Sequence, residues 1–347
     1  MTSSQPGSSR LAGRLAGTYP LGETYHLASL ESDMARITTE VSALIPEATG
    51  LSLPGEPSTA VIGRTEWIGR NVASFTHLME PLQRQIEEKV EQSGGNGRGA
   101  AAMTRRMMQA EMTAVLAIIA RRVLGQYELV LPTGEDGDVV SYVGPNIIQM
   151  ERIHQFRPGE FRFWVALHEM THRAQFQGVP WLREYFLGLV EELVEQSRPE
   201  PGRVNRVFEE LTRRFDTRRP IIDERGLLGL FASPEQSVVI DKVQALMSLL
   251  EGHGHVVMDR VGREHLRSQE RMSRVLKARR QDKRTAAFFR LTGLEMKLKQ
   301  YASGERFIKA IESEAGWDAV EIAFRGVGSL PTLDEIEDPG RWLRRVA

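Results

Sequence analysis

Residues His168-Glu169-Met170-Thr171-His172 set two imidazoles four positions apart with a carboxylate directly after the first. On a helix, which turns about 100° per residue, the two rings stand one turn apart on one face. They are then close enough to share a metal ion, and Glu169 lies where it can reach a water on that ion. Zinc held this way lowers the pKa of its water to about 7, and a nearby carboxylate can carry the proton. Two histidines four apart can also be ordinary core or surface residues. With 8 His in 347 residues, a fortuitous match somewhere in the chain has a chance of roughly one or two in a hundred, so the surroundings must decide.

With His168 at zero on a helical wheel, Phe161, Val165, His172 and Phe176 fall within roughly 80°, flanked by Trp164, Thr171 and Gln175. Arg162, Arg173 and Gln177 fall toward the opposite side, so the pattern predicts an amphipathic helix with both imidazoles in its apolar stripe and Glu169 on the edge. A buried imidazole needs a polar partner, and a metal supplies one. Pro158-Gly159 marks the start of this helix, and Gly178 followed by Pro180 marks its end.

Two histidines do not complete a catalytic zinc site, which usually takes three protein ligands and leaves one position open. Glu251 is the best third candidate. It projects among Ile240, Val243, Met247, Leu250 and Met258 on a helix that Ser233 and Pro234 would start well. A carboxylate on an apolar stripe is costly unless paired. Gly252 and Gly254 also weaken that helix, by up to about 1 kcal/mol each, and close approach of another helix would account for them. His255 is a second candidate for the ligand, or with Asp259 a partner to it. Glu191 is a third, 18 residues after His172 (191 − 172 − 1 = 18). That is the spacing of one large group of zinc aminopeptidases, but Glu191 lies in an acidic run that reads as a solvated face.

Lys+Arg 45 against Asp+Glu 46 leaves a formal charge of −1, so no global field draws the chain to nucleic acid or anionic lipid. With no cysteine, disulfides, thiolate metal sites and a cysteine nucleophile are excluded, and any metal must be held by nitrogen and oxygen. The first 17 residues lack the apolar core of a secretory signal. No uninterrupted apolar stretch reaches the roughly 18 residues of a membrane span. A cytoplasmic setting is the resulting expectation.

The elements that must position these groups are mainly α. Residues 1–18 read as a flexible tail. Residues 19–347 read as one large helical domain or as two lobes, about 19–178 and 179–347, facing a cleft. Helices are predicted over about 23–44, 65–92 with a kink or break at Pro81, and 101–124, with Pro46–Pro57 as a connection and Ser93–Gly97 as a loop. Leu129–Leu131 and Val139–Val143 around a Gly/Asp turn predict one small β hairpin upstream of the metal-binding helix. After Pro180 the pattern predicts helices over 181–197, 203–215, 235–261, 263–279, 284–301 and 304–315. The segment from Leu330 to Leu343 reads as extended.

The pentapeptide together with Gln175-Phe176, Val179-Pro180-Trp181-Leu182, Leu250-Glu251-Gly252-His253 and Val257-Met258-Asp259 resembles the uncharacterised zincin-like hydrolases common in actinobacteria. Leu124-Gly125-Gln126-Tyr127, Val143-Gly144-Pro145-Asn146, Gly293-Leu294-Glu295-Met296-Lys297 with Gln300-Tyr301, and Leu330-Pro331-Thr332 extend the likeness over nearly all of the chain after residue 60. One branch of that family is associated with deazaflavin coenzyme biosynthesis, and the resemblance does not assign this chain to that branch. It implies a mostly helical zincin-like fold with a zinc site. Many glutamate zincins carry aspartate four residues after the ligand glutamate, where this chain has His255, with the aspartate at 259.

The expected activity is zinc-dependent hydrolysis of a peptide or small amide, with His168, His172 and Glu251 on the metal and Glu169 as base. In zincins an upstream edge strand often aligns an extended substrate, and Val139–Val143 is the candidate here. The rival from a different class is a zinc-stabilised binding or assembly protein without turnover. It predicts a closed site with His253 or His255 in the water position.

Overall fold

The computed structural model describes residues 13, 15–92, 109–110, 112–130, 136–196, 234–280 and 295–346. The expected loop at 93–97, the turn at 132–135, the helix at 203–215, the Ser233 cap and residues 284–294 lie outside the described residues. The chain divides into two compact units, one of Met1–Gly178 with Leu266–Ser268 and one of Val179–His265 with Gln269–Ala347. Among the described residues no helix is long and apolar enough to cross a membrane.

The first unit runs α1 (Tyr25–Thr49), β1 (Ser58–Ile62), α2 (Arg64–Gln92), a helical stretch at 112–119, β2 (Gly125–Val130), β3 (Asp136–Val143), α3 (Gly144–Ile153) and α4 (Pro158–Gly178). α1 continues through Pro46 and ends at Gly50, whose left-handed φ of 72° suits a glycine C-cap. α2 likewise runs through Pro81.

The three strands form a sheet in the order β1-β3-β2. β2 and β3 are the expected hairpin, antiparallel with Gly125 opposite Tyr142. β1 is parallel to β3, with Ser58 opposite Val139 and Ile62 opposite Val143. This overturns the expectation that Val139–Val143 is an edge strand. β3 is paired on both flanks, so its backbone groups are already satisfied and cannot receive an extended chain. Behind the sheet, Ile62 and Val143 join Trp67, Ile68, Leu116, Ala117 and Ala120 in an apolar cluster that also buries Ala16.

α4 packs on α1 and on the face of β2 and β3. It is buried on nearly every side: Phe161, Val165, Thr171 and Gln175 are inside, and so are Arg162 and Arg173. The solvent-facing side predicted for these two arginines is absent because each has found anions. Arg162 Nε and Nη2 donate to the Glu151 carboxylate at 2.8 and 3.0 Å, and Nη1 to Asp33. Arg173 holds Asp138 with two bonds of 2.6 Å and the Pro54 carbonyl with a third. The start of α4 is tied by Glu160, which accepts from the Ser268 amide at 2.8 Å and hydroxyl at 2.6 Å.

The second unit holds α5 (Leu182–Gln196), α6 (Pro234–His265), α7 (Gln269–Arg280), α8 (Glu295–Ala315), α9 (Trp317–Glu321), α10 (Leu333–Glu337) and α11 (Pro339–Val346). α6 packs mainly on α8. The two helices meet at glycines: a methyl group on Gly252 would overlap the Gly304 backbone, and one on Gly304 would overlap the Ser248 carbonyl. This is the close helix approach expected from Gly252. The described part of the predicted 284–301 helix is continuous with 304–315, as α8.

The C-terminal segment is a correction. Residues 333–346 form two short helices where an extended run was expected. Thr332 caps the first with a capping box, its side chain accepting from the Glu335 amide while Glu335 accepts from the Thr332 amide.

Candidate metal and catalytic site

α4 carries the pentapeptide in its C-terminal half. Its helical twist brings His168 and His172 together, with Nε2 atoms 3.3 Å apart and rings 4.5 Å apart at 80°. His172 is oriented from behind, its Nδ1 meeting Gln175 Oε1 at 2.9 Å. If Nδ1 carries the proton it donates to that carbonyl oxygen, leaving Nε2 with its lone pair directed away, as a metal-binding histidine requires. Gln175 is fully buried, so its amide is held in place. The sequence placed Gln175 beside the stripe without assigning it this role, although its i+3 spacing from His172 was visible.

Glu169 is buried, at 5% exposure, while both histidines are partly exposed. Its carboxylate arm lies against the α-carbon of Gly125 at the start of β2. Tyr142, across the strand pair from Gly125, is fully buried with its hydroxyl 2.8 Å from Thr38 Oγ1. Burial pushes the Tyr142 hydroxyl well above the ordinary tyrosine range, against the pull of the Thr38 hydrogen bond, and the charge of Glu169 adds to the rise. Tyr142 therefore stays neutral beside Glu169.

Glu251 lies on α6 at 5% exposure among Leu249, Leu250, Val256 and Val257, all buried. Among the described residues, His168, His172 and Glu251 form a group that could hold a metal ion. Neither Glu191 nor His255 belongs to that group. Glu191 is exposed on α5, as a solvated acidic face would be. His253 is buried in an aromatic setting, stacked on Trp317 at 5.5 Å and edge-on to Phe324 at 5.1 Å. Asp259 accepts from Gln269 at 3.2 Å and lies 3.7 Å from the Lys309 ammonium.

The donor set suits zinc. Two imidazoles and a carboxylate are the nitrogen and oxygen ligands zinc accepts. Zn–N distances of about 2.0–2.1 Å at a tetrahedral angle span about 3.3–3.4 Å between nitrogens, and the two Nε2 atoms stand at 3.3 Å.

No curated protein matches the chain. A crystal structure from Chloroflexus aurantiacus, called a "putative hydrolase with a novel fold", is similar at 30% identity and a TM-score of 0.72, covering 97% of this chain and 96% of that one. Residues 8–343 match the model of the zincin-like metallopeptidases, and the chain belongs to that family.

Proposed function

We propose that the protein is a zinc-dependent hydrolase of peptide or other amide bonds, with the metal held by His168, His172 and Glu251 and Glu169 acting as the base. The observation that carries this reading is the pair of imidazoles on α4, whose Nε2 atoms stand 3.3 Å apart, with Glu169 next in sequence to one of them and buried. Bound zinc would supply Lewis acidity, polarising the scissile carbonyl and acidifying a water to a pKa of about 7. Glu169 takes the proton from the attacking water at its carboxylate and delivers it to the departing nitrogen. Gln175 keeps the His172 ring in register. Glu169 is buried, with its carboxylate arm against Gly125.

β2 supports a peptide as substrate. Among the described residues it pairs only with β3, so its outer edge offers backbone donors and acceptors to an extended chain. Gly125, next to Glu169, starts that edge. The rival reading, a closed zinc site in a non-catalytic assembly protein, would need His253 or His255 as a fourth ligand. His253 is instead packed between Trp317 and Phe324.

A peptide-library digest read by mass spectrometry tests the proposal, with E169Q as control. The expected result is cleavage by the zinc-loaded wild type and its loss, by about 100-fold or more, in E169Q. Equal cleavage by both would remove Glu169 as base.

A further inference from the structure

Gly125 has no conformational reason to be glycine. Its φ is not among the positive values found at Gly17, Gly50, Gly55 and Gly316, and glycine inside a strand is destabilising relative to alanine. What the missing side chain leaves is space, and Glu169 fills it. A methyl group at 125 would fall 2.7 Å from both Cγ and Oε1 of Glu169 and 2.8 Å from its Cδ. Ordinary carbon contacts lie at about 3.5–4.0 Å, so that space is too narrow by about 0.8 Å. The wall beside it is fixed: Tyr142 sits directly opposite Gly125 on β3, and directly opposed residues project from the same face. Tyr142 is fully buried and bonded to Thr38.

We infer that Gly125 is a positioning residue for Glu169, its bare α-carbon setting where the carboxylate rests. The inference builds on Glu169 as the base proposed above. The atoms that a new side chain at 125 would strike belong to the end of a flexible arm and not to backbone. G125A therefore leaves the helix and both histidines in place and moves the carboxylate by close to an ångström. A displacement of that size costs about 100-fold in turnover.

The test has a readout that needs neither metal nor substrate. Chemical denaturation of the metal-stripped full chain is measured for wild type, G125A, E169A and G125A/E169A. In the E169A background the methyl enters vacated space and alanine restrains the unfolded strand, so G125A raises the folding constant there and lowers it in wild type. The two effects differ by about tenfold or more. Additivity within about twofold overturns the inference.

With a peptide found in the library digest, zinc-loaded G125A keeps its zinc stoichiometry and its KM within about twofold while kcat falls about 100-fold. Wild-type kcat in G125A overturns the positioning role. A wild type that binds no zinc and cleaves nothing counts against the proposed function, and the denaturation cycle still decides whether Gly125 positions Glu169.

Discussion

Replacing glycine by alanine in a helix should have opposite effects at two positions of the second unit. Gly188 lies inside α5, exposed, and nothing comes within 4 Å of a methyl group added there. Gly304 lies inside α8, where the same methyl overlaps the Ser248 carbonyl oxygen and stands 2.8 Å from Ser248 C and 3.1 Å from Gly252 Cα. Both changes gain the helix propensity of alanine over glycine, up to about 1 kcal/mol. At 188 that gain stands alone. At 304 the struck atoms are backbone and cannot swing aside, so α6 and α8 must separate. Overpacking of this kind costs typically about 1–3 kcal/mol, and backbone collision puts it near the upper end, leaving a net loss of about 2 kcal/mol. One kcal/mol moves the midpoint of a domain of this size by about 2–4 °C. Thermal denaturation should therefore show G304A about 4–8 °C below wild type and G188A about 2–4 °C above it. A G304A protein as stable as wild type, or shifts of one sign at both sites, would refute the glycine contact between α6 and α8. Because Glu251 adjoins Gly252 on α6, G304A should also weaken metal binding, which G188A leaves unchanged.

Other perturbations follow from single contacts. Q175M keeps the volume of the side chain but removes the acceptor for His172 Nδ1, and chelator competition should show zinc affinity falling about 10- to 100-fold. E151A leaves the buried Arg162 guanidinium with Asp33 as its remaining carboxylate; urea denaturation should show a loss near the lower end of about 3–5 kcal/mol, and R162M/E151L should lose much less. Hydrogen bonding from Arg345, foremost, and from Thr332 holds the Glu335 carboxyl below the usual carboxylate range despite burial. With the folded pKa depressed, its stabilisation is present above about pH 4.3 and is lost as pH falls through the folded value. Tm measured from pH 6 down to pH 3 should therefore fall more steeply in wild type than in E335Q.

What could be read from the sequence follows the range of the interactions involved. The twist of α4, its Pro158 start and Gly178 end, and the meeting of His168 with His172 are set by residues within a few turns, and the helical period exposes them. Gly252 announced a close neighbour for the same reason, though not that the neighbour would be Gly304. The burial of Arg162 and Arg173 depended on Asp33, Glu151 and Asp138, two of them distant in sequence, so a wheel could only assign the arginines to solvent. β1 was hidden likewise: five residues after Pro57 become a strand by pairing with β3 about eighty residues later. That pairing turned the expected edge strand into the central one and left β2 as the edge. The helices after Thr332 are a different case, since Thr332-x-x-Glu335 is a capping box written locally. Gly125 was legible as a residue and not as a space, because only the fold sets it against Glu169.

The central claim is that His168, His172 and Glu251 together hold a zinc ion. Elemental analysis of purified wild type beside H172A and E251A tests it most directly. Wild type should hold close to one equivalent of zinc, and both variants should lose most of it. Wild type retaining less than about 0.1 equivalent, or E251A retaining as much zinc as wild type, would contradict it.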